Sequence, residues 1–306
     1  MILNNLKSRL KHTAHMAKRE GAGYLFIAPF MSLFFIFTLV PVIISIFYSF
    51  TYYNVLEPAS FIGWDNYTRL ILNDEVFLTA LKNTFVFASI TGPVGYLASF
   101  ILAWLLCELK PGIRSVLVFL FYIPSMSSSM YIVWTYLFSS DSYGLINSLL
   151  LKFGIIHTPI LWLQNTKYIM PIIILAALWM SLGTQFLTFV AGIQGFDKTL
   201  LEAGAVDGVR NRFQELWYIT LPSMRPQLVF SAVISIAQAF SVSDIAINLS
   251  GMPSVEYAGH TIVTHLLDYG NIRFEMGYAC AIATILFILM IAVNRLVTMF
   301  IGRIGK

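Results

Sequence analysis

Charged residues are scarce in this sequence: Asp, Glu, Lys and Arg make up 11% of its 306 residues, where a soluble domain carries about a quarter. With 58% of the chain hydrophobic, a single globular core could not absorb the apolar excess. The shortage is also uneven. Uncharged runs alternate with short polar segments, and each run approaches the roughly 20 residues that a helix needs to cross a bilayer. That pattern excludes a soluble domain and makes the membrane the solvent.

Other absences narrow the function. Two cysteines, Cys107 and Cys280, are too few for a disulfide framework or a thiolate metal centre, and they read as buried free thiols. The five histidines have no ligand spacing within an apolar run; His260 and His265 sit together in a polar segment, and no metal site is expected there. A phosphate-cradling loop requires Gly-x-x-x-x-Gly-Lys-Ser/Thr. The nearest stretch, Gly195-Phe196-Asp197-Lys198-Thr199, lacks the glycine before the lysine. No His-Glu-x-x-His pair occurs, and no nucleophile and base pair can be recognised. The chain therefore reads as non-enzymatic, without a cofactor of its own. The formal charge of +4 does not imply nucleic acid, because the positive residues lie just outside apolar runs, where topology accounts for them.

Six spans are predicted, at about 24–50, 79–106, 115–138, 168–193, 226–249 and 276–300. The first is too long for the roughly 7–15 residue core of a cleaved signal and is expected to remain as a helix. Pro29, Pro41, Pro93, Pro124 and Pro171 fall inside spans, where kinks are expected. On one side lie Lys7, Arg9, Lys11, Lys18 and Arg19, then Lys110 and Arg114, then Lys198, Arg210, Arg212 and Arg225, then Arg295, Arg303 and Lys306. The other side holds Arg69, Lys82, Lys152, Lys167 and Arg273. The positive-inside rule places both termini in the cytoplasm. The chain divides into a basic cytoplasmic tail, 1–23, and a six-helix domain, 24–306. The tail suits either a surface-lying segment or a plain topology determinant. Outside, Tyr143 to Leu150 is too short to span and reads as an interfacial helix.

The long cytoplasmic loop between the fourth and fifth spans, at about 195–226, contains Leu200-Leu201-Glu202-Ala203-Gly204-Ala205-Val206-Asp207-Gly208. Small residues there let another body approach the backbone, with Asp197 placed to cap a helix start and Gly208 its end. Phe213 and Trp217 are four apart on one helical face, suited to a partner or to the membrane surface.

Glu202-Ala203-Gly204 with Gly208 four residues on, followed by Ile219-Thr220-Leu221-Pro222, resembles the loop signature of binding-protein-dependent ABC transporter permeases. Asp207-Gly208 resembles the carbohydrate-importing branch, as do Phe61-Ile62-Gly63-Trp64-Asp65-Asn66-Tyr67 and Met276-Gly277-Tyr278-Ala279, while Tyr122-Ile123-Pro124 and Gly144-Leu145-Ile146-Asn147 are further resemblances to the permease family. The resemblance runs from about Tyr24 onward. It implies an all-α membrane protein of the type I ABC importer permease kind, a multi-pass subunit of the bacterial plasma membrane. It also implies a second homologous permease, two copies of an ATP-binding subunit holding ATP and magnesium, and an extracytoplasmic solute-binding protein. Glu202, Ala203, Gly204, Asp207 and Gly208 then become contacts to the ATPase subunit. Position 204 departs from the family, which generally has Ala; Gly lowers helix propensity by about 1 kcal/mol.

Polar residues inside spans complete the reading. Gln238, Ser241, Asp244 and Asn248 fall within an arc of roughly 120° if the fifth span is one regular helix. Ser181, Thr184, Gln185 and Thr188 form a second stripe, near Trp179. Hydroxyls, amides, one carboxylate and aromatic rings suit a sugar, while interhelical hydrogen bonding would use the same Ser and Thr residues. Gly95, Ser99 and Ala103, and Gly277 with Ala281, recur four apart as helix-packing positions. The expected function is a permease subunit of an ATP-driven carbohydrate importer. The alternatives are a glycerol-phosphate importer permease, or a secondary carrier or channel working without ATP.

Overall fold

The computed structural model describes residues 21–195, 197 and 199–301. Most of the basic tail, together with Lys198, Arg303 and Lys306, lies outside the described residues. Helices dominate what is described, beside a two-stranded antiparallel ladder, Thr51–Tyr52 with Ser60–Phe61. Among the described residues, five helices are long and apolar enough to span: Leu25–Tyr48, Glu75–Cys107, Thr166–Gly195, Arg225–Ser250 and Met276–Phe300. The third expected span is a bent pair, Pro111–Met126 and Tyr131–Leu137, meeting at 81°. The all-α fold follows the sequence reading, with edges displaced by only a few residues.

The breaks do not fall where proline alone would put them. Helix continues through Pro93 and Pro171, whereas regular α-helix lapses at 127–130, 181–183 and 241–243. Serine is the common element, and its hydroxyl competes for backbone groups that a helix would otherwise satisfy. Pro124 does act as expected, since its helix ends two residues later at Met126. Pro41 follows a π-helical turn, Phe35–Leu39, which widens the first span before the helix resumes at Val40.

The second span is the central column. Its 33 residues extend about 50 Å, beyond the roughly 30 Å hydrocarbon layer, and its buried side chains enter three separate clusters: Phe77 and Ala88, then Phe87, then Phe100, Ala103 and Leu106. Ser99 and Ala103 are fully buried. A Cβ at Gly95 would stand 3.1 Å from Ser181 Oγ, so the small-residue row lets the fourth span pack close. None of the apolar stretch of the first span is buried within the chain, and it is anchored at its C-terminal end. There Asn66 Nδ2 donates to the carbonyls of Ser49 and Thr51 at 2.8 and 2.9 Å. The Gly277 N–H donates to Tyr53 O at 3.0 Å, and a side chain at Gly277 would collide with the Thr51 carbonyl.

A short helix forms at Leu145–Lys152, where an interfacial one is expected from the sequence. Its Asn147, fully buried, aims Nδ2 at the carbonyls of Ser139, Asp141 and Ile160 within 3.2 Å. Its Oδ1 accepts from the Ile160 N–H at 3.1 Å and Trp162 Nε1 at 2.9 Å. One amide thus organises the segment between the third and fourth spans.

Candidate functional site

The three serine breaks face one another. A cavity of about 460 Å³ opens between the third, fourth and fifth spans, lined by Ser125 and Ser127, Ser181 and Thr184, and Ser241 and Ser243. Irregular backbone at membrane depth is tolerated only where it is enclosed by protein or lines such a cavity. Gln185, Gln238 and Asp244 also line it, so four of the six expected pathway residues, Ser241 included, meet here.

The other two do not. The helix stops at Phe240 and restarts at Asp244, so the 100° phase of a continuous helix is lost, and Asn248 turns its Nδ2 back to the Asp244 carbonyl at 2.7 Å. Trp179 sits outside the lining, its ring 5.9 Å from that of Trp134 at 64°. In turn, the sequence reading missed Ser125, Ser127 and Ser243. The signal was present in Ser125-Met126-Ser127-Ser128-Ser129, a serine density that no apolar span needs.

Gln185 is the most deeply placed polar group in the lining, at 2% exposure. Its Nε2 donates to Ser99 Oγ at 3.2 Å and to the Ser181 carbonyl at 3.3 Å, which leaves Oε1 without a partner. Leaving a buried acceptor unsatisfied costs about 1–3 kcal/mol.

The loop between the fourth and fifth spans has a different character. Its helix, Thr199–Val206, starts where Asp197 Oδ1 accepts the Thr199 N–H at 3.0 Å, a bond that lowers the Asp197 pKa. It ends at Gly208, whose φ is +93°; the Val209 N–H returns to the Gly204 carbonyl at 2.9 Å and the Gly208 N–H to that of Ala205 at 3.4 Å. This is a Schellman closure. Glu202, Ala203, Asp207 and Gly208 are exposed. Gly204 is buried, and a Cβ on it would run into Ile219 Cδ1 of the same chain. The close approach at position 204 is therefore internal: it seats the loop helix on the following segment and turns the other four positions outward. Phe213 and Trp217 are 75% and 67% exposed, and Phe213 leans on Trp104 of the second span with ring centroids 5.8 Å apart.

At the opposite end, the two histidines join a buried polar chain. Asp74 caps the second span through the Phe77 N–H at 2.8 Å. Its other oxygen accepts from Tyr278 at 2.6 Å and from His265 Nε2 at 3.0 Å, and His265 Nδ1 meets His260 Nε2 at 3.2 Å. Burial works to raise the Asp74 pKa, but the bonds from His265, Tyr278 and the Phe77 N–H outweigh it and hold the carboxyl well below its usual range. Burial, aided by the neighbouring His265, pushes His260 down to about 4. This polar chain ties the second span, the segment between the fifth and sixth spans, and the sixth span together.

Likeness to known proteins runs the length of the chain. Residues 93–306 match the family described as binding-protein-dependent transport system inner membrane component. A probable ABC transporter permease protein of Bacillus subtilis (strain 168), YesP, is 32% identical over 293 residues, covering 94% of this chain and 93% of that protein. The arabinooligosaccharides transport system permease protein AraP of the same organism is 34% identical over 279 residues, covering 90% and 87%. A solved bacterial ABC transporter involved in the import of the acidic polysaccharide alginate aligns with a TM-score of 0.77 at 24% identity, covering 96% of this chain and 100% of that one. At that identity the likeness speaks for the fold alone.

Proposed function

The chain belongs to the binding-protein-dependent transport system inner membrane components, and on that premise we propose that it forms half of an ATP-driven import pathway for a carbohydrate, most simply an oligosaccharide. The observation that carries this reading is the cavity at the three serine breaks. Its wall offers hydroxyls, two amides and one carboxylate, groups that exchange hydrogen bonds with a polyol as it sheds water. The AraP relative is named for arabino-oligosaccharides, which supports the same substrate class.

A second homologous permease would close the pathway, and two ATP-binding subunits, holding ATP and magnesium, would supply the energy. An extracytoplasmic binding protein would deliver the solute, with both termini of this chain in the cytoplasm. The exposed face of the loop helix around Glu202 is the contact to the ATPase. A push there passes through Gly204 to Ile219 and through Arg212, which lies 2.9 Å from Glu215 and 3.7 Å from Glu108 at the inner end of the second span. The fourth, fifth and second spans would then shift around the cavity between inward-open and outward-open arrangements.

The test is purification of the tagged chain from its native membrane, followed by vesicle reconstitution. A copurifying ATPase and sugar uptake that stops without ATP are expected. Uptake at an equal rate without ATP would instead establish a secondary carrier.

A further inference from the structure

The cavity wall carries hydrogen-bonding groups of both kinds and no positive charge. Thr91, Ser125 and Ser181 donate their hydroxyl hydrogens to the carbonyls of Phe87, Tyr122 and Leu178 at 2.8, 2.8 and 2.7 Å. Ser235 donates to the Gly92 carbonyl at 3.2 Å. A hydroxyl whose hydrogen is held in this way can serve a ligand only as an acceptor. Ser243 Oγ likewise donates to Asp244 Oδ1 at 3.2 Å. Tyr122, Ser127, Thr184, Gln238 and Ser241 supply donors. Among the described lining residues Asp244 brings the only formal charge, a negative one, and no Lys, Arg or His is present.

We infer that this half of the pathway selects uncharged, hydroxyl-rich sugars and rejects sugars bearing carboxylate or phosphate, with Asp244 as the specificity-determining residue. A neutral sugar exchanges hydrogen bonds with these hydroxyls and amides and offers O–H donors to the carboxylate. A uronate or a sugar phosphate brings a like charge. It would shed its hydration shell and meet no cation to replace it. Within a few ångströms of Asp244, at the effective dielectric of a partly wet site, the repulsion amounts to about a tenfold or greater disadvantage in binding. The inference rests on the carbohydrate reading above and adds the sign of the selection.

The assembled complex in lipid nanodiscs, held with a non-hydrolysable ATP analogue, is incubated with an equimolar pool of neutral and uronic-acid oligosaccharides two to five sugars long. Retained sugars are identified by mass spectrometry. Neutral species should be enriched about tenfold over acidic ones, Asp244→Asn should erase most of that enrichment, and Asp244→Glu should keep it. Size-exclusion chromatography of each variant confirms that the complex is intact. Retention of uronates by the wild-type complex as well as neutral sugars overturns the inference, as does an unchanged ratio in an intact Asp244→Asn complex. Retention of neither class overturns the carbohydrate reading, and the charge rule with it.

Discussion

The two ends of this molecule handle their polar groups in different ways. At the outer end, Asn66, Asp74, Asn147, His260 and His265 are buried, and each has partners within the chain. At the other end, which the Lys and Arg distribution leads us to expect inside, Val206, Phe213, Trp217 and Tyr218 are 67% to 87% exposed on the loop between the fourth and fifth spans. Burial of such side chains is worth about 1.5–3 kcal/mol each. The outer end also exposes Leu56, Phe61, Trp64 and Tyr143, so the contrast lies in the polar groups: the outer end satisfies its buried ones within the chain, and under the function proposed above the inner loop is expected to be completed by a partner.

Breaking the inner end should therefore have the largest effect on coupling and the smallest on folding. Gly208 holds φ +93°, a region costly to any residue with a Cβ, and it is exposed beside Asp207. Gly208→Trp should cut ATPase retention on the purified complex at least tenfold while membrane insertion stays normal. Full retention would mean that the loop is not the contact.

The outer end should respond in the opposite sense. Asn147→Ala removes an amide that serves five backbone and side-chain groups and strands several of them, at an expected cost of about 2–4 kcal/mol to that segment. Limited proteolysis should find faster cleavage between Ser139 and Trp162, with ATPase retention unaltered. Loss of the ATPase in this variant would show that the two ends are not independent.

Much of this contrast could be read from the sequence, for physical reasons. Span positions follow from uncharged length, and the packing rows at Gly95, Ser99 and Ala103 follow from side-chain size, because both are local properties. Gln185, Gln238, Ser241 and Asp244 could be picked out because polar groups inside spans are costly, and they meet at one cavity. Asn248 lies outside its lining because the stripe argument assumes one unbroken helix, and the break at 241–243 depends on serine–backbone competition that periodicity cannot register. Trp179, on the fourth span, packs on Trp134 instead. The Asp74–His265–His260 chain links residues about 190 apart in sequence, a distance that no spacing rule crosses.

Acidification offers a milder probe of the outer end. His260 titrates near 4 in the folded chain and near 6.5 when unfolded. Between those values the unfolded state holds more protons, so stability falls as pH falls, with the loss beginning near 6.5 and complete near 4. Asp74, held low, contributes stability that persists until far more acid conditions. At pH 5 the expected loss relative to pH 7 is about 2 kcal/mol, read as a lower unfolding midpoint of the outer segment. His260→Gln should flatten that dependence; an unchanged profile would assign it to another group.

The smallest effect is expected where the inner loop touches its own chain. Arg212 reaches Glu215 at 2.9 Å and Glu108 at 3.7 Å, with its side chain 63% exposed. Solvent screens such pairs, which contribute about 0–1 kcal/mol. Arg212→Gln should therefore shift unfolding by less than about 1 kcal/mol. It should lower transport-coupled ATP hydrolysis by no more than about fivefold, the factor that so weak a brace can supply, and the difference should shrink in high salt as screening removes the pair from the wild-type chain too. If Arg212→Gln instead matched Gly208→Trp in its effect, the loop would be held by its own chain more than by a partner. The inner end would then resemble the outer one, and the exposed aromatic side chains would need another explanation, with the membrane surface the next to test.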